Sequence, residues 1–183
     1  MPRAFVAVPL EDPALDALCA ALAATGADVK PTKPGQVHLT LAFLGDVPDE
    51  GVPAMGKAVD DACAATGAIP LQLHGVGAFP NAQAPRVVWA GARPSPPLDA
   101  LAKRVRDRLD EAGFPSDPKP FRAHATLARV RSPRGLEGLR AFLAARREEA
   151  LPLKILSRVV LFRSDQGPGG PSYHALHEAR LGA

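Results

Sequence analysis

Two cysteines among 183 residues leave no disulfide framework, and neither has the partner spacing of a zinc site. Cys19 and Cys63 each lie in an Ala-rich stretch of helical character and read as small apolar residues in a reducing compartment. Long apolar runs are missing too. No segment approaches the ~20 apolar residues that cross a bilayer, and the opening MPRAFVAVPLEDP has too short a run for a secretory signal. A cytoplasmic monomer without a membrane partner is expected. His, Asp and Glu do not cluster at metal-site spacings, so no metal and no cofactor are expected. Lysine is scarce, 6 against 16 arginines, and the formal net charge is only +3. Arginine's planar fork suits phosphate, so a local basic cleft fits this balance, although most of these side chains are expected to solvate helix faces.

What is present is a globular composition. An apolar fraction of 46% supports a sizeable core and excludes disorder of the chain as a whole. Periodicity predicts strands at 4–10 and 37–44, with a helix between them that starts at Asp12-Pro13 and is closed by Gly26. A helix over 49–66 follows, then strands at 71–79 and 86–92 joined by a Pro/Asn-rich turn. The pattern restarts with an amphipathic helix over 97–112, whose stripe is Leu98, Leu101, Val105 and Leu109. A strand at 121–130, a helix at 135–147, a strand at 153–162, the GPGGP loop and a last strand at 173–181 complete it. Each half runs strand, helix, strand, helix, strand, and places His-x-Thr-Leu in the strand after its first helix. This order predicts an α+β fold: a single bilobal domain over 1–183 with a structural repeat of roughly 1–85 and 86–183. Its two antiparallel sheets are expected to face a central cleft in a pseudo-twofold arrangement, with helices on the outer faces and terminal strands open to exchange between lobes.

Strand alternation says what the repeated motif can do. In HLTLAFLG, His38, Thr40, Ala42 and Leu44 point one way, and Leu39, Leu41 and Phe43 point to the helices. Small Ala42 leaves room above the sheet. HATLARV repeats this with His124, Thr126 and Ala128. Two lobes related by a pseudo-twofold bring two imidazoles and two hydroxyls around one point. That set suits in-line displacement at a cyclic phosphodiester. One neutral imidazole takes a proton from water, one protonated imidazole supplies the leaving oxygen, and the hydroxyls donate to the non-bridging oxygens. A single such strand would more often be a packing histidine; two in equivalent places carry the inference.

With these residues in view, the chain resembles the RNA 2′,3′-cyclic phosphodiesterases, historically called 2′-5′ RNA ligases, of the two-histidine phosphoesterase superfamily. The matching segments are HLTLAFLGDV at 38–47, PRVVWAGA at 85–92 and KPFRAHATLARV at 119–130. The likeness extends from FVAVPL at 5–10 to YHALHEARL at 173–181. It implies a bilobal α+β fold and hydrolysis of a 2′,3′-cyclic end to a 2′-phosphomonoester, on RNA with such termini or on cyclic nucleotides. It also implies that His38 is the proton donor and His124 the acceptor, with Thr40 and Thr126 contacting phosphate. Arg129 matches an arginine that commonly follows the second motif, and Tyr173 a tyrosine common in the last strand. By strict alternation Arg129 faces away from His124, unless a bulge re-aims it or it reaches in from the strand end. Many relatives have Pro before the second histidine; this chain has Ala123, preceded by Arg122 on the face of His124.

Reverse reaction to a 2′-5′ RNA linkage uses the same groups but competes with water in vast excess. A non-catalytic RNA-end or nucleotide-binding module on the same fold is the alternative of a different class, and it requires no matched acid and base. His74 reads as a polar strand position. His174 and His177 flank the last strand without carboxylate company, Phe43 reads as buried, and Trp89 as core at the junction of the lobes.

Overall fold

A computed structural model describes residues 3–182. The chain runs β1 (Arg3–Pro9), α1 (Pro13–Ala23), β2 (Val29–Pro31), β3 (His38–Asp46), a 3₁₀ turn (Asp49–Gly51) and α2 (Val52–Cys63). It continues with β4 (Ile69–Phe79), β5 (Val87–Ala92), α3 (Pro96–Glu111), β6 (His124–Val130), α4 (Leu136–Arg146), β7 (Ala150–Leu156), β8 (Arg158–Gly167) and β9 (Gly170–Arg180). Local signals explain the helix starts. Asp12 caps α1 by accepting from Ala14 N at 2.8 Å, and Ser95 caps α3 by accepting from Leu98 N, each just before a proline that lacks the unpaired N–H. The stripe Leu98, Leu101, Val105 and Leu109 is fully buried, as expected. No helix among the described residues is long and apolar enough to cross a membrane.

The fold is α+β with an antiparallel sheet, as the periodicity predicts. Its strand order is β7-β4-β5-β6-β3-β1-β8-β9, with β2 paired to β6. The two half-sheets are joined rather than separate, because β3 pairs with β6 at Leu39↔Ala125. That junction is a single residue pair because β2 takes the same edge of β6 from Ala128 to Val130. Helices α2 and α3 pack on the half containing β3, β8 and β9, whereas α1 and α4 pack on the half containing β2, β4 and β6. Each half-sheet thus draws elements from both sides of residue 85. The segment expected as one strand at 153–162 divides after Leu156. β7 pairs with β4 at one edge of the sheet, and β8 pairs with β1 in the other half. Alternation cannot reveal a chain that crosses between half-sheets while remaining extended. The GPGGP segment forms a two-residue hairpin turn at Pro168-Gly169 between Gly167 and Gly170.

Both motif strands contain a β-bulge. β1 pairs Val6↔Ala42 and Ala7↔Thr40, so Leu41 is an extra residue on β3. β5 pairs Val88↔Ala128 and Trp89↔Thr126, so Leu127 is the extra residue on β6. The extra residue shifts the alternation that follows it by one. Leu41 and Ala42 are consecutively buried, and so are Leu127 and Ala128. Beyond Leu39 no strand among the described residues flanks β3 on the β6 side, and there the Leu41 carbonyl accepts from Arg106 Nε of α3 at 2.8 Å. The Leu127 carbonyl accepts from Thr32 N at 2.8 Å. Arg106 also donates to Lys119 O at 2.8 Å and stacks over Phe121, so one guanidinium holds the β3 bulge and the approach to β6 together. Arg106→Met strands the partly buried Leu41 carbonyl and is expected to lower stability by about 1–3 kcal/mol in urea denaturation. An unchanged midpoint would show that the bulge needs no such donor.

Candidate functional site

His38 opens β3 and His124 opens β6, on the strands that meet at the junction. Each imidazole is held the same way. His38 Nδ1 lies 2.8 Å from Gln36 O, and His124 Nδ1 lies 2.6 Å from Arg122 O. A carbonyl can only accept, so Nδ1 carries the proton in both rings and Nε2 is the atom left for proton transfer. Thr40 and Thr126, two residues on, lie on the same strand faces as their histidines and are partly buried.

The bulges decide what else joins them. Phe43 pairs with Phe5, whose ring centroid is 5.1 Å from His38 and 6.2 Å from Phe43. Phe43 is therefore on the histidine face and 51% exposed, not in the core. The expectation of a buried Phe43 fails because alternation shifts at Leu41. For the same reason Ala42 and Ala128 line the core rather than the cleft. At the equivalent place in β6, the Leu127 bulge returns Arg129 to the face of Thr126 and His124, which settles the orientation that the sequence left open. Arg129 is close enough to act electrostatically on both His38 and Tyr173.

Burial is the main cause that holds His38 below the ordinary histidine value, helped by the charge of Arg129 and the nearby His124 and opposed by the bond to Gln36 O. The enclosure is aromatic. Tyr173 stands edge-on to His38 at 5.2 Å, and Phe5 and Phe162 complete the wall. Burial also raises the Tyr173 phenol, against the pull of Arg129. His124 lies on a more open side, edge-on to Phe79 at 5.0 Å.

Arg122 precedes β6 rather than sitting in it; it is exposed and lines a groove beside His124. Trp89, expected in the core, is half-buried on that groove's wall and 5.3 Å from Phe79. His174 and His177 each do have a carboxylate, Asp165 at 3.3 Å and Asp60 at 2.8 Å. His74 pairs with Glu148 at 3.0 Å. Three residues near the site escaped the sequence: Arg106, Thr32 and Lys30. Lys30 pairs opposite Arg129 and lies against Gly170 of the β8–β9 turn. The one available signal was the repeated Thr-Leu-Ala, two apolar residues in a row at the point where each strand should have alternated.

The family model of the 2'-5' RNA ligase superfamily matches residues 29–168. An RNA 2',3'-cyclic phosphodiesterase of Archaeoglobus fulgidus is 36% identical over 131 residues, covering 70% of this chain and 73% of that protein. A protein of the same name from Methanothermobacter thermautotrophicus is 29% identical over 182 residues, 98% of each. Among solved structures, TT0787 of Thermus thermophilus superposes with a TM-score of 0.79 at 31% identity, over 98% of this chain and 97% of that one. E. coli LigT complexed with 3'-AMP shares the fold, with a TM-score of 0.74 at 24% identity over 100% of both chains.

The electrostatic arrangement makes a prediction of known sign. Arg129→Met removes a positive neighbour and moves the His38 pKa upward toward 6.5, while burial keeps part of the depression. NMR titration of the imidazole signals checks it, and a downward move would contradict the placement of Arg129.

Proposed function

Because the chain belongs to the 2′-5′ RNA ligase superfamily, we propose that it hydrolyses 2′,3′-cyclic phosphodiester ends of RNA to 2′-phosphomonoesters, by two-histidine acid–base catalysis without a metal. Membership makes the chain a phosphoesterase. The observation that carries the finer reading is the matched pair of imidazoles, each with Nδ1 tied to the carbonyl two residues earlier and Nε2 free.

The cyclic phosphate lies between the two strands. Thr40 and Thr126 hydroxyls donate to its non-bridging oxygens, and Arg129 offsets the charge that grows on them. His124 Nε2 takes a proton from water as the water oxygen attacks phosphorus. The bond from phosphorus to O3′ breaks, and O3′ takes the proton from His38 Nε2, leaving the phosphate on O2′. His38 as donor must be protonated, although burial and Arg129 disfavour its charged form. The negative phosphate supplies the compensating charge when it binds. Tyr173 walls the His38 side, and Arg122 adds positive charge near His124. The base of the reacting nucleotide stacks on exposed Phe43, the large apolar side chain that the Leu41 bulge brings to this face. Run in reverse with a ribose hydroxyl in place of water, the same proton transfers form a 2′-5′ linkage.

His38→Ala and His124→Ala are each expected to lower kcat on a 2′,3′-cyclic nucleotide by about 10²–10⁴-fold, with wild-type activity undiminished in EDTA. Full activity in both single variants would remove acid–base catalysis by this pair, and affinity without turnover in the wild type would favour a binding module. Phe43→Leu is expected to raise KM for cyclic purine nucleotides with little change in kcat, by the equivalent of about 1–3 kcal/mol. A loss confined to kcat would place the base elsewhere.

A further inference from the structure

Outward from the histidine strands the half-sheets follow matching orders, β3-β1-β8-β9 and β6-β5-β4-β7. They end differently. β9 pairs with β8 from Arg158↔Arg180 to Gly167↔Gly170, and this carries Tyr173 onto His38. β7 pairs with β4 only from Ile69↔Leu156 to His74↔Ala150. β4 turns out of that pairing at Gly75, whose φ is +74° and whose N–H donates to Glu149 O at 2.8 Å. From Gly75 to Phe79 the outer edge of β4 carries no strand among the described residues, and there a groove of about 850 Å³ opens, reaching from His124 to α4.

The groove has an aromatic floor and a cationic rim. The Trp89 indole lies across Gly77, where a Cβ would collide with it, and reaches Gly91, where a Cβ would meet the His74 carbonyl first and the indole next. Phe79 bridges Trp89 to His124. The indole Nε1 is buried and has no hydrogen-bond partner among the described residues. Arg122 stands at the His124 end, with Arg140 and Arg147 along α4 and its C-cap. Arg140 tethers the β4–β5 turn through Gln83 O at 2.6 Å, whereas the Arg147 side chain is 84% exposed. Glu148 is the one carboxylate of the lining; His74 Nε2 lies 3.0 Å from its Oε2, and exposed Arg147 makes only a long 4.0 Å approach to its Oε1, which leaves most of the guanidinium to solvent.

We infer that this groove binds a second nucleotide of single-stranded RNA, one that does not carry the reacting phosphate. Its base stacks on the Phe79–Trp89 floor and its backbone phosphate meets Arg147. This rests on the cyclic-phosphate reading of the cleft. Stacked aromatics beside guanidinium groups form the surface that single-stranded nucleic acid takes, without regard to base sequence. On the His38 side the equivalent space is filled by Tyr173, Phe5 and Phe162. Only the His124 side is left for further RNA. The bound segment comes either from the strand ending in the cyclic phosphate or from a separate strand.

Trp89 is the single tryptophan, so its fluorescence reports occupancy directly. The wild type is titrated with a trinucleotide ending in a 2′,3′-cyclic phosphate, with the matching cyclic mononucleotide, and with a 5′-hydroxyl trinucleotide that has no cyclic end. Expected are quenching by a trinucleotide but not by the mononucleotide, and a kcat/KM at least 10-fold higher for the cyclic-ended trinucleotide if the segment belongs to the same strand. Quenching by the 5′-hydroxyl trinucleotide in the presence of cyclic mononucleotide assigns it to a separate strand. Arg147→Glu and Trp89→Leu are each expected to weaken trinucleotide binding 10-fold or more, while mononucleotide turnover stays within two-fold and certifies the fold. Absence of quenching in every arm, or equal losses on both substrates, overturns the inference. Quenching without turnover of either cyclic substrate keeps the groove and removes the proposed hydrolysis.

Discussion

The hydrogen bonds that Arg106 Nε and Thr32 N donate to the carbonyls of Leu41 and Leu127 hold an extra residue at the same place in each motif strand, and β3 shifts a second time at Leu44. Regular β3 and β6 would send the fifth residue after each histidine into the core. The extra leucine instead fills the helix side together with the alanine that follows it, and the fifth residue returns to the histidine face. In β3 that residue is Phe43, and in β6 it is Arg129. The same backbone device therefore delivers an apolar platform from one lobe and a guanidinium from the other.

The pseudo-symmetry of backbone is accompanied by asymmetry of surroundings. His38 is enclosed by Phe5, Phe162 and Tyr173, and burial together with Arg129 disfavours its charged form. His124 touches Phe79 at the edge of an open groove, because β7 stops opposite His74. Two chemically identical side chains with the same Nδ1 anchor are thereby placed in different surroundings, one enclosed by aromatic rings and one at the edge of a groove.

Much of this is legible along the chain. The helix starts follow from Asp12-Pro13 and Ser95-Pro96, the α3 stripe from its apolar spacing, and the paired histidines and threonines from the repeat of one four-residue pattern. The errors have two causes. Phe43, Ala42 and Ala128 are misplaced by assuming that alternation runs unbroken through a strand, and Trp89 by assuming that a large ring in an apolar strand is core. A bulge exists only in relation to the neighbouring strand, and its one trace within a strand is the pair of consecutive apolar residues in Thr-Leu-Ala. The crossing from β7 to β8 is hidden likewise, since both pieces are extended and apolar.

The sequence by itself determined which residues are local neighbours. Capping, stripe and motif depend on spacings of two to four residues and on the chemistry of each side chain, so His38 with Thr40 and His124 with Thr126 were fixed before any fold was known. Only the tertiary structure decided which way Phe43 and Arg129 point, that Arg106 joins the two motif strands, and that one histidine is walled in while the other faces a groove. Those outcomes depend on hydrogen bonds between segments some 65 to 95 residues apart, Arg106 with Leu41 and Thr32 with Leu127, and contacts at that separation leave no period in the chain.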